Sequence, residues 1–151
     1  MKRYLFMALF ATFFISCSDD DKVDPDLTKD FVGNWKGEVK KEVGYEYSSD
    51  WLISRVDDKT VKIVSTYKLV STDPKIPSST EVSNINDVII SKANDNTLTM
   101  TTTQEIAIPG DTILVKGTGV VSGRSLTVTS TGTSKKTGVV TKPPVQRFTK
   151  E

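Results

Sequence analysis

The chain of 151 residues contains no histidine and a single cysteine, Cys17. The first absence removes the commonest general base and the commonest metal ligand. The second removes intramolecular disulfides and Cys-rich metal sites. Charge of one sign is also missing. There are 20 Lys and Arg against 19 Asp and Glu, so no basic field argues for a nucleic-acid partner. Without Lys2 and Arg3 the rest of the chain carries 18 basic and 19 acidic side chains. No glycine-rich phosphate loop or nucleophile elbow is present. The acidic clusters are too short for a calcium loop and lack its closing Glu. The expectation is therefore a protein without cofactor or metal, and not an enzyme.

What is present begins at the N-terminus. Lys2 and Arg3 precede an uncharged apolar run from Tyr4 to Ile15. Twelve residues fall short of the roughly 20 that a helix needs to span a bilayer, and they suit the h-region of a signal peptide. The lone cysteine follows directly, in Phe14-Ile15-Ser16-Cys17. This stretch resembles the lipobox of bacterial lipoproteins, with small Ser16 before the cysteine, although Phe14 stands where an aliphatic residue is usual. The resemblance implies cleavage after residue 16 and lipidation of Cys17. The alternative is an ordinary secretory signal with a chance cysteine. Two or three acyl chains, at about 0.8 kcal/mol per buried methylene, give a stable membrane anchor where one would not.

Asp19, Asp20 and Asp21 come next. They resemble the acidic export signal of some Gram-negative lipoproteins, which implies an outer-membrane anchor and display at the cell surface. The plainer alternative is a solvated tether. Residues 17–30, polar and carrying Pro25, read as that tether, which as a flexible coil reaches roughly 20 Å. Residues 31–151 read as one domain, a size that buries a single core.

In this domain the period is two. Trp35, Gly37 and Val39 alternate with Lys36, Glu38 and Lys40, and Val61, Ile63, Tyr67 and Leu69 with Lys62, Thr66 and Lys68. Leu98, Met100 and Ile106, then Leu126 and Val128, alternate with threonines. Such alternation marks half-buried antiparallel strands. Turn residues separate them at Val43-Gly44, Asp57-Asp58-Lys59, Asn94-Asp95-Asn96, Pro109-Gly110, Ser122-Gly123 and Lys135 to Gly138. Ser71 to Thr80, with Pro74 and Pro77, reads as a longer loop. About eight strands in series predict an all-β fold, an up-and-down barrel or a sandwich.

Asp30 to Val39, with Gly33 and Trp35 as a Gly-x-Trp element, resembles the first strand of lipocalins and related calycins. The stretch from Val115 to Thr133 and a last strand ending at Glu151 resemble their closing hairpins. The resemblance implies an eight-stranded antiparallel barrel with Trp35 plugging a closed end and a basic residue of the last strand above it. Arg147 is the candidate by position.

An eight-stranded barrel is just wide enough to be filled by side chains or to hold one small ligand. The candidate cavity lining is Gly37, Tyr67, Met100, Gln104, Gly117 and Gly119, with Trp51 undecided because Leu52 adjoins it. Ser65, Thr102 and Gln104 need partners if buried. One expectation is a small apolar or glycan ligand. The other is a solid barrel that docks a surface protein partner. Finally, Asp111-Thr112-Ile113 matches a short bacterial O-glycosylation motif, with Thr112 as the acceptor expected at an exposed turn.

Overall fold

The computed structural model describes residues 26–94 and 97–151. The signal segment, Cys17 and the acids at positions 19–21 lie outside these residues, as do Asp95 and Asn96. The elements are β1 (Gly33–Gly37), β2 (Lys40–Glu42), β3 (Tyr45–Arg55), β4 (Thr60–Ser71), β5 (Ser79–Asn94), β6 (Thr97–Ile108), β7 (Asp111–Ser122), β8 (Ser125–Ser134), β9 (Val140–Thr141) and β10 (Gln146–Lys150). Their order in the sheet is β1-β10-β8-β7-β6-β5-β4-β3-β2, and β1 also pairs β3. This last pairing closes the sheet into an eight-stranded antiparallel barrel. Two of its staves are broken, β1 with β2 and β9 with β10.

The turns fall where glycine and the acidic turn residues stand. Gly44, Gly110, Gly123 and Gly138 all have positive φ, a conformation that a side chain disfavours. At the β3–β4 turn, Asp57 accepts the Lys59 amide at 2.8 Å.

Alternation along the strands places one apolar residue in two inside. The buried ones, however, occupy only one half of the barrel: Trp35, Trp51, Ile53, Val61, Ile63, Val88, Ile90, Met100, Leu126, Val128 and Phe148. The chain entering β1 caps this half. Thr28 and Phe31 are fully buried, and Leu27 bonds the Asp58 carbonyl. The folded unit therefore starts earlier than residue 31. Asp26 to Asp30 belong to the cap rather than to a tether, because the Asp26 carboxylate accepts both the amide and hydroxyl of Thr28 and holds the turn.

In this half the ring of paired strands is complete. In the other half it is interrupted. The β5–β6 pairing runs only from Asn94↔Thr97 to Ile89↔Thr101. β5 bulges between Ile85 and Val88, where Asp87 takes a φ of 53°, a left-handed conformation that Asp tolerates better than most residues. Bulges bend a strand and increase its twist. Here the bend carries Ser79 to Val88 away from β6.

Candidate functional site

At the capped end Trp35 is fully buried, at the position the resemblance implies for it. Its indole N–H donates to the Phe31 carbonyl at 2.6 Å. The basic side chain over this ring is Lys150, not Arg147. The Lys150 ammonium lies 5.3 Å from the ring centroid and donates to the Asp30 carbonyl at 3.0 Å. Strand parity explains the correction. Lys150 is the register partner of Trp35 and shares the inward parity of Phe148, whereas Arg147 is on the opposite face, paired with Thr127. Gly33 completes the motif. Its φ is 134°, and a β-carbon there would stand 3.0 Å from the Lys150 stem.

Above the plug the interior is packed. Trp51 faces inward and its ring lies 4.4 Å from that of Phe148, centroid to centroid, while Leu52 points out. Met100 and Gly119 belong to this packed tier rather than to a cavity lining. A β-carbon on Gly119 would fall 2.4 Å from the Met100 methyl, so the glycine is the space that Met100 fills.

The apolar core ends in a polar tier. The Trp51 indole donates to the Ser49 hydroxyl at 3.1 Å, and Ser49 bonds Ser65 at 3.0 Å. Ser65 thus has its partner. Thr102 does not: its hydroxyl oxygen is buried with no hydrogen bond to another described residue. Gly117 packs against the Thr102 methyl, with Gln104 half-buried farther along β6.

Beyond this tier is a cleft of about 60 Å³ lined by Gly37, Tyr47, Ser49, Tyr67, Gln146, Arg147 and Phe148 among others. Gly37 and Tyr67 are therefore brought together as expected, but Gln104 and Gly117 lie outside the cleft. Gly37 is required for close approach, since a β-carbon would lie 2.2 Å from the Ser49 carbonyl oxygen. After Gly37 the chain leaves the wall, which turns Val39 out to solvent. Three tyrosines form a row over the mouth. The rings of Tyr45 and Tyr47 are 6.1 Å apart and those of Tyr47 and Tyr67 are 6.2 Å apart. Desolvation, with the neighbouring Tyr47, Tyr45 and Glu81, raises the Tyr67 phenol above its ordinary pKa.

Tyr45, Tyr47 and Ser49 were not singled out in the sequence. They share the parity of Trp51, so the facing of that one residue carries all three inward. Thr112 is half-buried at the start of β7. Its amide donates to Asp111, whose carboxylate also accepts the Ser134 hydroxyl and the Lys136 amide at 3.0 Å. Among the described residues, no group of three or more His, Cys, Asp or Glu side chains is placed to hold a metal ion.

No family model matches the chain, and no curated protein matches it. Solved structures do resemble it. The "putative outer membrane protein" of Bacteroides fragilis NCTC 9343 superposes with a TM-score of 0.51 at 13% identity, over 83% of this chain and 53% of that one. This chain thus spans about half the length of that protein. A de novo designed fluorescence-activating β-barrel gives 0.44 at 11% identity, over 83% and 98% of the two chains. Rv2717c from M. tuberculosis gives 0.43 at 8% identity, over 83% and 97%. What the first of these similarities establishes is the fold: a closed, antiparallel, all-β barrel.

Proposed function

We propose that this chain is a lipoprotein anchored through Cys17 at the outer membrane, facing the cell surface, whose barrel binds a small glycan or apolar ligand without chemical turnover. The observation that carries the binding reading is the row of Tyr45, Tyr47 and Tyr67 above the Gly37–Phe148 cleft. Packed residues fill the closed half of the barrel, so a ligand has only the mouth. The cleft of about 60 Å³ is far below the roughly 300–1,000 Å³ of a pocket that engulfs a drug-sized molecule. The bound molecule would therefore lie across the tyrosine rings and insert a single group beside Gly37. Flat ring faces next to Gln146 favour a sugar over a long acyl chain. The name of the Bacteroides fragilis protein is consistent with the outer-membrane location.

Titration of intrinsic fluorescence with maltose, cellobiose and palmitate, paired with thermal melts, tests the binding. A ligand that binds only the folded state raises the melting temperature by mass action. Saturable sugar binding that Tyr67→Ala abolishes supports the reading. Binding of none of the three, or binding that Tyr67→Ala leaves intact, overturns it. The anchor has a separate test. Radiolabelled palmitate should enter the full-length chain and not Cys17→Ser, and protease shaving of intact cells should remove the domain.

A further inference from the structure

The interrupted wall between β5 and β6 leaves two bare strand edges facing each other. Ser79 to Val88 pairs only with β4, and Thr102 to Ile108 pairs only with β7. A strand edge is a row of unmet N–H and C=O groups that another extended chain can pair with. Protein edges are commonly blunted by lysine, proline or a covering loop. Neither of these segments contains a lysine, arginine or proline. The Asp87 bulge lies within the first, but it opens the slot rather than closing it.

The chemistry of the slot specifies its occupant. Backbone donors and acceptors at strand spacing recognise an extended polypeptide and no other common ligand. On the barrel side the slot presents apolar residues at both rims: Ile106 and Ile108 are inward by parity yet 47% and 44% exposed, and Ile85 is only half-buried, with Glu81 at the same parity as Ile85. Its ionisable residues are all acids. Glu81 and Asp87 form no ion pair with another described residue, while Glu105 is held by Lys135.

We propose that the β5–β6 slot is a strand-addition site for an extended segment of a partner protein, with apolar residues alternating with basic ones. The segment pairs antiparallel with β5, the ladder type of greater stability. Its apolar side chains cover Ile85, Ile106 and Ile108 on the barrel side, and its basic ones, on the opposite face, meet Asp87. Main-chain bonds supply affinity and the alternate side chains supply selectivity, as in other strand-addition complexes. The slot adjoins the tyrosine row, since Glu81 is the register partner of Tyr67.

The test uses the full-length chain and a capped heptapeptide of alternating valine and lysine, followed by fluorescence polarisation. Three controls accompany it: the same peptide N-methylated on one edge, a valine–glutamate version, and the variant Asp87→Asn. Saturable binding is expected, about tenfold or more weaker for the N-methylated peptide, which loses one or two backbone hydrogen bonds. Asp87→Asn should bind more weakly and show a flatter salt dependence. Hydrogen exchange should show new protection of the amides of Ser79 to Val88 on binding. Absence of binding, equal binding of the N-methylated peptide, or binding without that protection overturns the proposal. So does a concentration-dependent dimer that protects the same amides without peptide, which would assign the edge to a second copy of the chain.

Discussion

Gly37 packs so tightly on Ser49 that a β-carbon at Gly37 would lie 2.2 Å from the Ser49 carbonyl oxygen. The obstacle is backbone, which cannot swing aside as a side-chain end can. Gly37→Ala is expected to cost about 1–3 kcal/mol through forced displacement of β1 and to narrow the cleft beside Phe148. Urea denaturation measures the first effect and ligand titration the second. By contrast, Gly119→Ala meets the flexible end of Met100, so pairing it with a shorter residue at 100 should recover much of its loss.

The plug supports a graded series. Trp35→Phe removes the donor to the Phe31 carbonyl and leaves part of the indole volume empty. Its expected cost is roughly 2–4 kcal/mol. Lys150→Met keeps the stem but removes the charge over the ring, for a smaller loss of about 0.5–1 kcal/mol. Arg147→Met should leave stability unchanged by comparison. Denaturant midpoints of the three variants give the ranking, and an Arg147 effect larger than that of Lys150 would contradict it.

Thr102 buries a hydroxyl oxygen that no described residue satisfies. Thr102→Val keeps the shape and removes the desolvated oxygen, so the variant should be as stable as the parent or more so by about 1 kcal/mol. A loss of stability in thermal melts would mean that the hydroxyl is satisfied in solution.

Asp111 makes the hairpin ends acid-sensitive. The Ser134 hydroxyl, against an opposing desolvation, and then the amides of Thr112 and Lys136 hold its carboxyl below the ordinary range. A carboxyl with a depressed folded-state pKa contributes stability above its unfolded value of about 3.9. That contribution is lost as the pH falls through the folded value. Asp26, bonded to Thr28, has the same sign. Stability should therefore decline below about pH 4, and Asp111→Asn should flatten part of that decline. Denaturant midpoints between neutral and acid pH measure it. At the other extreme, the raised Tyr67 phenol predicts a stability loss as the pH rises above about 10, absent in Tyr67→Phe.

Much of the wall was legible because period-two alternation is a local property. The facing of Val61, Ile63, Met100, Leu126 and Val128 follows from it, and so do the turns at Gly44, Gly110, Gly123 and Gly138. Trp51 was undecided because its neighbour Leu52 is equally apolar, and that single ambiguity concealed Tyr45, Tyr47 and Ser49. The resemblance points to Arg147 on the last strand, whereas the register selects Lys150. Position along the last strand does not reveal which residue stands opposite Trp35, whereas the β1–β10 pairing does.

The class of fold and the placement of strands and turns are written in local patterns, since side-chain alternation and backbone preferences act within a few residues. The sequence also carries the lipobox-like stretch around Cys17, because a processing signal is a linear pattern. Tertiary structure alone decided that the barrel is filled in one half and open in the other, that Met100 belongs to the core while Gly37 and Tyr67 share a cleft, and that β5 parts from β6. Each of these depends on which residues distant in the chain stand opposite one another. A one-residue bulge such as that at Asp87 changes those pairings while leaving the alternation on either side of it easy to read.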